Sequence, residues 1–220
     1  GVWRVQDFKP YPKPTRVPVT LSANTSYSAS TSGYATGDEV TFEFRQNGVP
    51  SFIKVRREIV EAGELSKTFW IEPKGSALCL WNEDCLNEKS DAPLIITEGE
   101  FDALSFLAAG ATHVVSVPNG AAGKPGEGDV VPVEDKQFAY LWDGNKLKAS
   151  LRRFTKIILA TDGDDAGRVL RDELAIRLGR PRCWYVTYPG GCKDANEALQ
   201  RFGGDALQDM IADAKPIVPS

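Results

Sequence analysis

The chain has a single histidine, and none of its four cysteines, Cys79, Cys85, Cys183 and Cys192, stands in a C-x-x-C pair. His113 has no ligand partner near it in sequence, so no zinc ribbon is expected and reduced, structural cysteines are the default. No apolar run is long enough to span a bilayer, and the N-terminus lacks a signal-peptide pattern. The expectation is a cytoplasmic protein with no membrane partner. A G-x-x-x-x-G-K-[ST] loop is also missing, which leaves no recognisable ATP motor. Charge of one sign is not in large excess: the net charge is −4 over 220 residues. That argues against a surface coated in DNA-binding charge and leaves room for a local basic strip. The opening Gly1-Val2 carries no methionine, as expected of a fragment of a longer polypeptide or of a processed or cloned start.

What is present centres on Lys156 to Gly167, KIILATDGDDAG. Ile157, Ile158, Leu159 and Ala160 form a short apolar run, a turn follows, and a helical pattern begins at about Ala166. That order predicts a buried parallel strand feeding a βα unit. Asp162, Asp164 and Asp165 then fall at the strand's C-terminal end, where open α/β sheets place ligands. Asp162 and Asp164 are two apart and share a side if extended geometry persists. Adjacent carboxylates repel unless a cation lies between them, and hard oxygen donors suit magnesium. The plainer alternative is that DGDD is a turn and helix N-cap with charge favourable to the dipole.

Along the chain, prolines from Pro10 to Pro18 and a Ser/Thr/Ala/Gly-rich stretch from Ser22 predict an extended arm or linker over 1–36. Over 37–91 the pattern predicts a small, mainly antiparallel β-rich subdomain. Its strands are Val40 to Arg45, Phe52 to Arg57, Lys67 to Ile71 and Leu78 to Trp81. Its exposed positions read as basic (Lys54, Arg56, Arg57, Lys67, Lys74), either a solvated face balanced by Glu58, Glu61 and Glu64 or, beside Phe69, Trp70 and Trp81, a phosphate- and base-contacting surface. Over 92–215 strands and helices alternate. Strands are predicted at Leu94 to Thr97, Val114 to Val117, Ile157 to Ala160 and Cys183 to Thr187. Long helices follow at Phe101 to Ala109 (Phe101, Leu104, Ser105 and Ala108 inward), Ala166 to Leu178, from Asp194, and Asp205 to Ala214. Ala121 to Asp135 reads as a surface loop, Phe138 to Trp142 and Leu147 to Phe154 as short helices, and 216–220 as a linker tail. The fold class is therefore α/β, a mostly parallel sheet flanked by helices and preceded by a small antiparallel sheet.

Three strand ends carry acids: Glu98 after the first, Asp162 and Asp164 after the third, Asp194 after the fourth. Parallel strands deliver these ends to one edge. Four carboxylates meeting there need cations, the pattern of one or two magnesium (or manganese) ions supporting phosphoryl transfer, with Glu98 able to take or give a proton. Taken singly, Glu98 and Glu100 could complement a helix dipole and Asp194 could cap a helix.

Glu98-Gly99-x-x-Asp102-Ala103-Leu104 with Asp162-x-Asp164-x-Ala166-Gly167 resembles the TOPRIM domain of bacterial-type primases, type IA and II topoisomerases and some nucleases. Cys192-Lys193-Asp194-Ala195-Asn196-Glu197, and the strand before DGDDAG, resemble the primase half of phage primase-helicases and of the related mitochondrial replicative helicase. Lys54-Val55-Arg56 is similar to that family's basic N-terminal motif, and Lys215 to Pro219 to its linker toward the helicase. The resemblance implies a Rossmann-like TOPRIM fold and a DNA primase that joins ribonucleoside triphosphates on single-stranded DNA, fused to or associated with a replicative helicase, in the host cytoplasm if phage-encoded. It implies catalysis by Glu98, Asp162 and Asp164, metal binding by these and Asp194, and nucleotide or DNA contacts from Lys54, Arg56, Lys67 and Lys193. Lys193 as a solvated turn residue is the alternative. The zinc module of relatives that choose priming sites has no counterpart here. Two other functions stay open: a non-catalytic single-strand-binding module of a helicase, and a TOPRIM nuclease.

Overall fold

The computed structural model describes residues 16–19, 39–61, 64–120 and 130–218. Most of the predicted arm, and 121–129 of the predicted loop, lie outside them. Within 1–36, Arg16–Val19 forms a strand, β1, paired in parallel with β2 (Glu39–Gln46). β2 continues antiparallel into β3 (Val49–Glu61) and β4 (Glu64–Glu72), giving the order β1-β2-β3-β4.

The second sheet is built from β5 (Leu94–Thr97), β6 (Val114–Ser116), β9 (Ile157–Ala160), β10 (Cys183–Tyr185) and β11 (Lys215–Pro216), in the order β11-β10-β9-β5-β6. All pairings are parallel except β10 with β11. Helix α1 (Glu100–Ala108) links β5 to β6, and α3 (Asp165–Leu178) links β9 to β10. Between them lie a two-residue pair, β7 (Trp142–Asp143) with β8 (Lys146–Leu147), and the short α2 (Ala149–Arg152). α4 (Ala195–Phe202) and α5 (Gly204–Ala212) precede β11. No helix among the described residues is long and apolar enough to cross a membrane.

The central strands are apolar but for the terminal Thr97, because both faces are covered, and strand alternation sorts their side chains. Leu94 and Ile96 of β5 face a core with Leu170, Leu174 and Leu178 of α3. Ile95 faces another with Ala103, Leu104 and Phe106 of α1, Ala198 of α4, and Val40, Phe42, Phe44 and Phe52 of the smaller sheet. The small sheet is thus glued to the α1 side by shared apolar contacts, with Phe42 edge-on to Phe101 at 5.2 Å.

Three expectations need correction. Leu78 to Trp81 is not a strand of the small sheet: Trp81 makes a single antiparallel bridge to Ser116, beside β6. Its indole is buried and edge-on to Phe42, which removes it from any base-contacting surface. On α1, Ala108 is exposed whereas Asp102, Ala103 and Phe106 are buried, because the helix is covered by the parallel sheet, the small sheet and α4 rather than on one stripe. Within the predicted tail, Pro216 pairs with Trp184, and Ile217 is buried with its N–H on the Cys183 carbonyl.

Candidate active site at the carboxyl edge of the parallel sheet

β5 sends its helix to one side of the sheet order and β9 sends its helix to the other, so the chain reverses direction between these two strands. Such a reversal opens a crevice at the carboxyl ends. Thr97 and Ala160 are paired in the last register position, so Glu98 leaves β5, and Thr161-Asp162 leaves β9, at the same edge. The Asp162 N–H points at Glu98 Oε2 across 3.4 Å. Asp194 arrives from the β10 side, where the Gly163 N–H donates to the Lys193 carbonyl at 2.7 Å and the Tyr188 hydroxyl to the Thr161 carbonyl at 3.0 Å. Four predicted site residues, Glu98, Asp162, Asp194 and Lys193, thus meet at one edge with Asp164 beside them.

Asp164 and Asp194 also do what the plainer reading assigned them. Asp164 Oδ1 accepts from the Gly167 N–H at 2.9 Å, capping α3, and Asp194 Oδ1 accepts from the Glu197 N–H at 2.7 Å, capping α4. The Asp194→Ala variant is expected to be about 1 kcal/mol less stable than Asp194→Asn by urea denaturation. Both variants remove the charge, so their difference isolates the cap.

Burial raises the Asp162 carboxyl, Asp194 and Asp164 add to the rise, and Lys193 opposes it. The Lys193 ammonium stands 3.6 Å from Asp162 Oδ2 and is held protonated above its usual range, chiefly by Asp162 and also by Asp164 and Asp194. Tyr188, half-buried beside the acids, is driven well up by burial of its ring and by the surrounding carboxylates.

Asp102 was visible in the motif but not assigned a role. Its carboxylate is buried on α1 and accepts from the Asn196 N–H at 3.0 Å, tying α1 to the first turn of α4 just beyond Asp194. Burial, then the charges of Asp194 and Asp162, push its carboxyl up to about 8. The folded state therefore holds a proton that the unfolded chain releases near pH 4. Stability contributed by this group should be fully present below about pH 4 and lost as pH rises to about 8, by on the order of a few kcal/mol. Asp102→Asn should flatten that slope in denaturation series across pH.

The predicted basic residues divide. Lys54 is not on an exposed face: it shares a cross-strand row with Phe42 and Ile71, points toward α1, and its Nζ is 2.7 Å from Glu100 Oε1 in a buried ion pair. Arg56 is half-buried over the Phe101 ring at 5.2 Å, and Arg57 is half-buried, paired with Glu39. Lys67 stands exposed on β4.

The donor set at the edge is all carboxylate oxygen, which suits magnesium or manganese. With the side chains as they stand, no three His, Cys, Asp or Glu groups among the described residues encircle one ion. The Lys193 ammonium is the cation facing Asp162.

Residues 95–199 match the Toprim-like family model. Together with the parallel sheet and the acidic edge, this makes 95–199 a Toprim-like domain. Within that class its sequence is 36% identical over 189 residues to the chloroplastic/mitochondrial Twinkle homolog protein of Arabidopsis thaliana, covering 82% of this chain and 25% of that one. It is 38% identical over 159 residues to the Primase homolog protein of the same plant, covering 69% and 45%. The fold is that of the primase domains in a structure of the bacteriophage T7 lagging-strand DNA polymerase, with a TM-score of 0.55, 22% identity, and coverage of 81% of this chain and 79% of that one. The chain thus spans less than half the length of either curated relative.

Proposed function

We propose that the chain is the RNA-polymerising part of a DNA primase, joining ribonucleoside triphosphates on a single-stranded DNA template as a segment of a replicative primase-helicase. The observation that carries this reading is the meeting of Glu98, Asp162, Asp164, Asp194 and Lys193 at the sheet's reversal point. In this reading residues 37–91 bear on the template and 92–215 hold the reacting groups. Glu98, Asp162, Asp164 and Asp194 would hold magnesium or manganese, which when bound neutralises triphosphate charge and steadies the attacking and leaving oxygens. Lys193, already drawn to the acids, would meet the triphosphate. Glu98 Oε2 is positioned beside Asp162 to accept a proton from the attacking hydroxyl. Lys54, Arg56 and Lys67 supply positive charge on the small sheet, with Lys54 acting through Glu100. The relative named a primase homolog, and the T7 primase domains whose structure holds an RNA/DNA hybrid, support the choice of a nucleic-acid template.

A second reading, a non-catalytic single-strand-binding module of a helicase, is favoured by Lys193 itself: an ammonium 3.6 Å from Asp162 lets the acids coexist without a metal. Incubating the chain with single-stranded template, labelled ribonucleotides and magnesium separates the two. Labelled oligoribonucleotides that require template and metal are the expected result. Their absence at high protein concentration, with template binding intact, overturns the primase reading in favour of the module, and template cleavage instead would make it a nuclease.

A further inference from the structure

Among the three aromatics that the sequence placed beside basic residues, the fold buries Trp81, half-buries Trp70 with its indole N–H on Glu72 at 2.7 Å, and leaves Phe69 60% exposed. A lone exposed phenylalanine is ordinary on a protein surface. Phe69 differs in its neighbours. β4 is the last strand of its sheet, and the register aligns Phe69 with Arg56 and Val40 in one row and Ile71 with Lys54 and Phe42 in the next. Residues directly opposite one another share a face. Phe69 therefore lies on the face that packs against α1, at its uncovered outer margin. The Lys54 ammonium is 5.0 Å from its ring centroid and, at the same time, 2.7 Å from Glu100, two residues beyond Glu98. Arg56, its row neighbour, lies over Phe101 of α1, and Lys67 is exposed two residues before it on the same strand. An exposed aromatic ring set among cations, one of which, Lys54, pairs with Glu100 close to the acidic edge, has the two elements by which proteins hold single strands: a stacking surface and positive charge for phosphates.

We propose that Phe69 is a stacking platform for an unpaired nucleobase entering the site. This rests on the nucleic-acid reading above and adds the side chain that receives the base. The base could belong to the template strand or to an incoming ribonucleotide, and the measurement separates these.

The full chain, Phe69→Leu and Phe69→Trp would be titrated into a fluorescent oligothymidylate without metal or nucleotide, and separately into a fluorescent ribonucleoside triphosphate without DNA, reading anisotropy across a salt series. Phe69→Leu keeps an apolar side chain and removes the π face. It is expected to bind the affected probe about tenfold more weakly, with Phe69→Trp at or above wild-type affinity. The dependence on salt should keep its slope, since no charge is lost, and the melting temperature should not change, since the ring is exposed. Loss confined to the oligonucleotide assigns the base to the template, and loss confined to the triphosphate assigns it to the incoming nucleotide. Wild-type binding that Phe69→Leu leaves unchanged overturns the stacking role and spares the primase reading. A wild-type chain that binds neither probe overturns both.

Discussion

Asp162→Asn is expected to lower primer synthesis roughly a thousandfold, about 4 kcal/mol of barrier, while leaving the chain as stable as wild type or more so. Asp162 is the member of the edge on which the others converge. Its N–H faces Glu98, its Oδ2 faces Lys193, and the charges of Asp194 and Asp164 act on it. A neutral amide of the same shape cannot balance a divalent cation or carry developing charge, so the chemistry should fail. Stability should move the other way. Burial and like charge raise the Asp162 carboxyl, so the ionised form is a cost to the folded state that grows as pH rises from about 4, and asparagine removes it. Activity assays paired with thermal melting at neutral pH check both halves. Lost activity with unchanged or raised stability is the signature of a group kept for function rather than for folding. Retained primer synthesis would remove Asp162 from the reaction.

Gly167→Ala is expected to cost at least about 3 kcal/mol, measured as a shift of the urea midpoint, and to take the site with it. In an ordinary helix the same change would gain up to about 1 kcal/mol, because glycine is the poorer helix former. Here a Cβ at 167 would lie 2.1 Å from the Asp162 carbonyl oxygen and 2.7 Å from its carbon. Both are backbone atoms that cannot rotate away. The start of α3 packs directly on the turn carrying Asp162, and the Thr161 hydroxyl closes the same turn on the Gly167 carbonyl at 2.7 Å. Either α3 or the Asp162 turn must shift, and the acidic edge shifts with it.

The two acidic motifs were legible because each follows a short apolar strand whose type and boundaries are local properties. Leu94–Thr97 and Ile157–Ala160 were predicted and found over the same residues. Their convergence was legible too, since parallel strands must place their ends together. The partners of Lys54 were hidden because its alternation with Phe42 and Ile71 exists only across strands, and Glu100 reaches it over a separation of 46 residues. Asp102 was hidden for a similar reason: a helical acid reads as exposed until a second helix, α4, supplies the backbone N–H that it accepts.

The sequence by itself determined the alternation of strands and helices, the α/β class, and the acids at strand ends, because these follow from periodicity and turn chemistry within a few residues. Only the tertiary structure decided which charges are buried, which aromatic ring stays open, and that the Lys193 ammonium faces Asp162. Those outcomes depend on which surfaces distant segments present to one another, and burial changes both the exposure of a group and the cost of its charge.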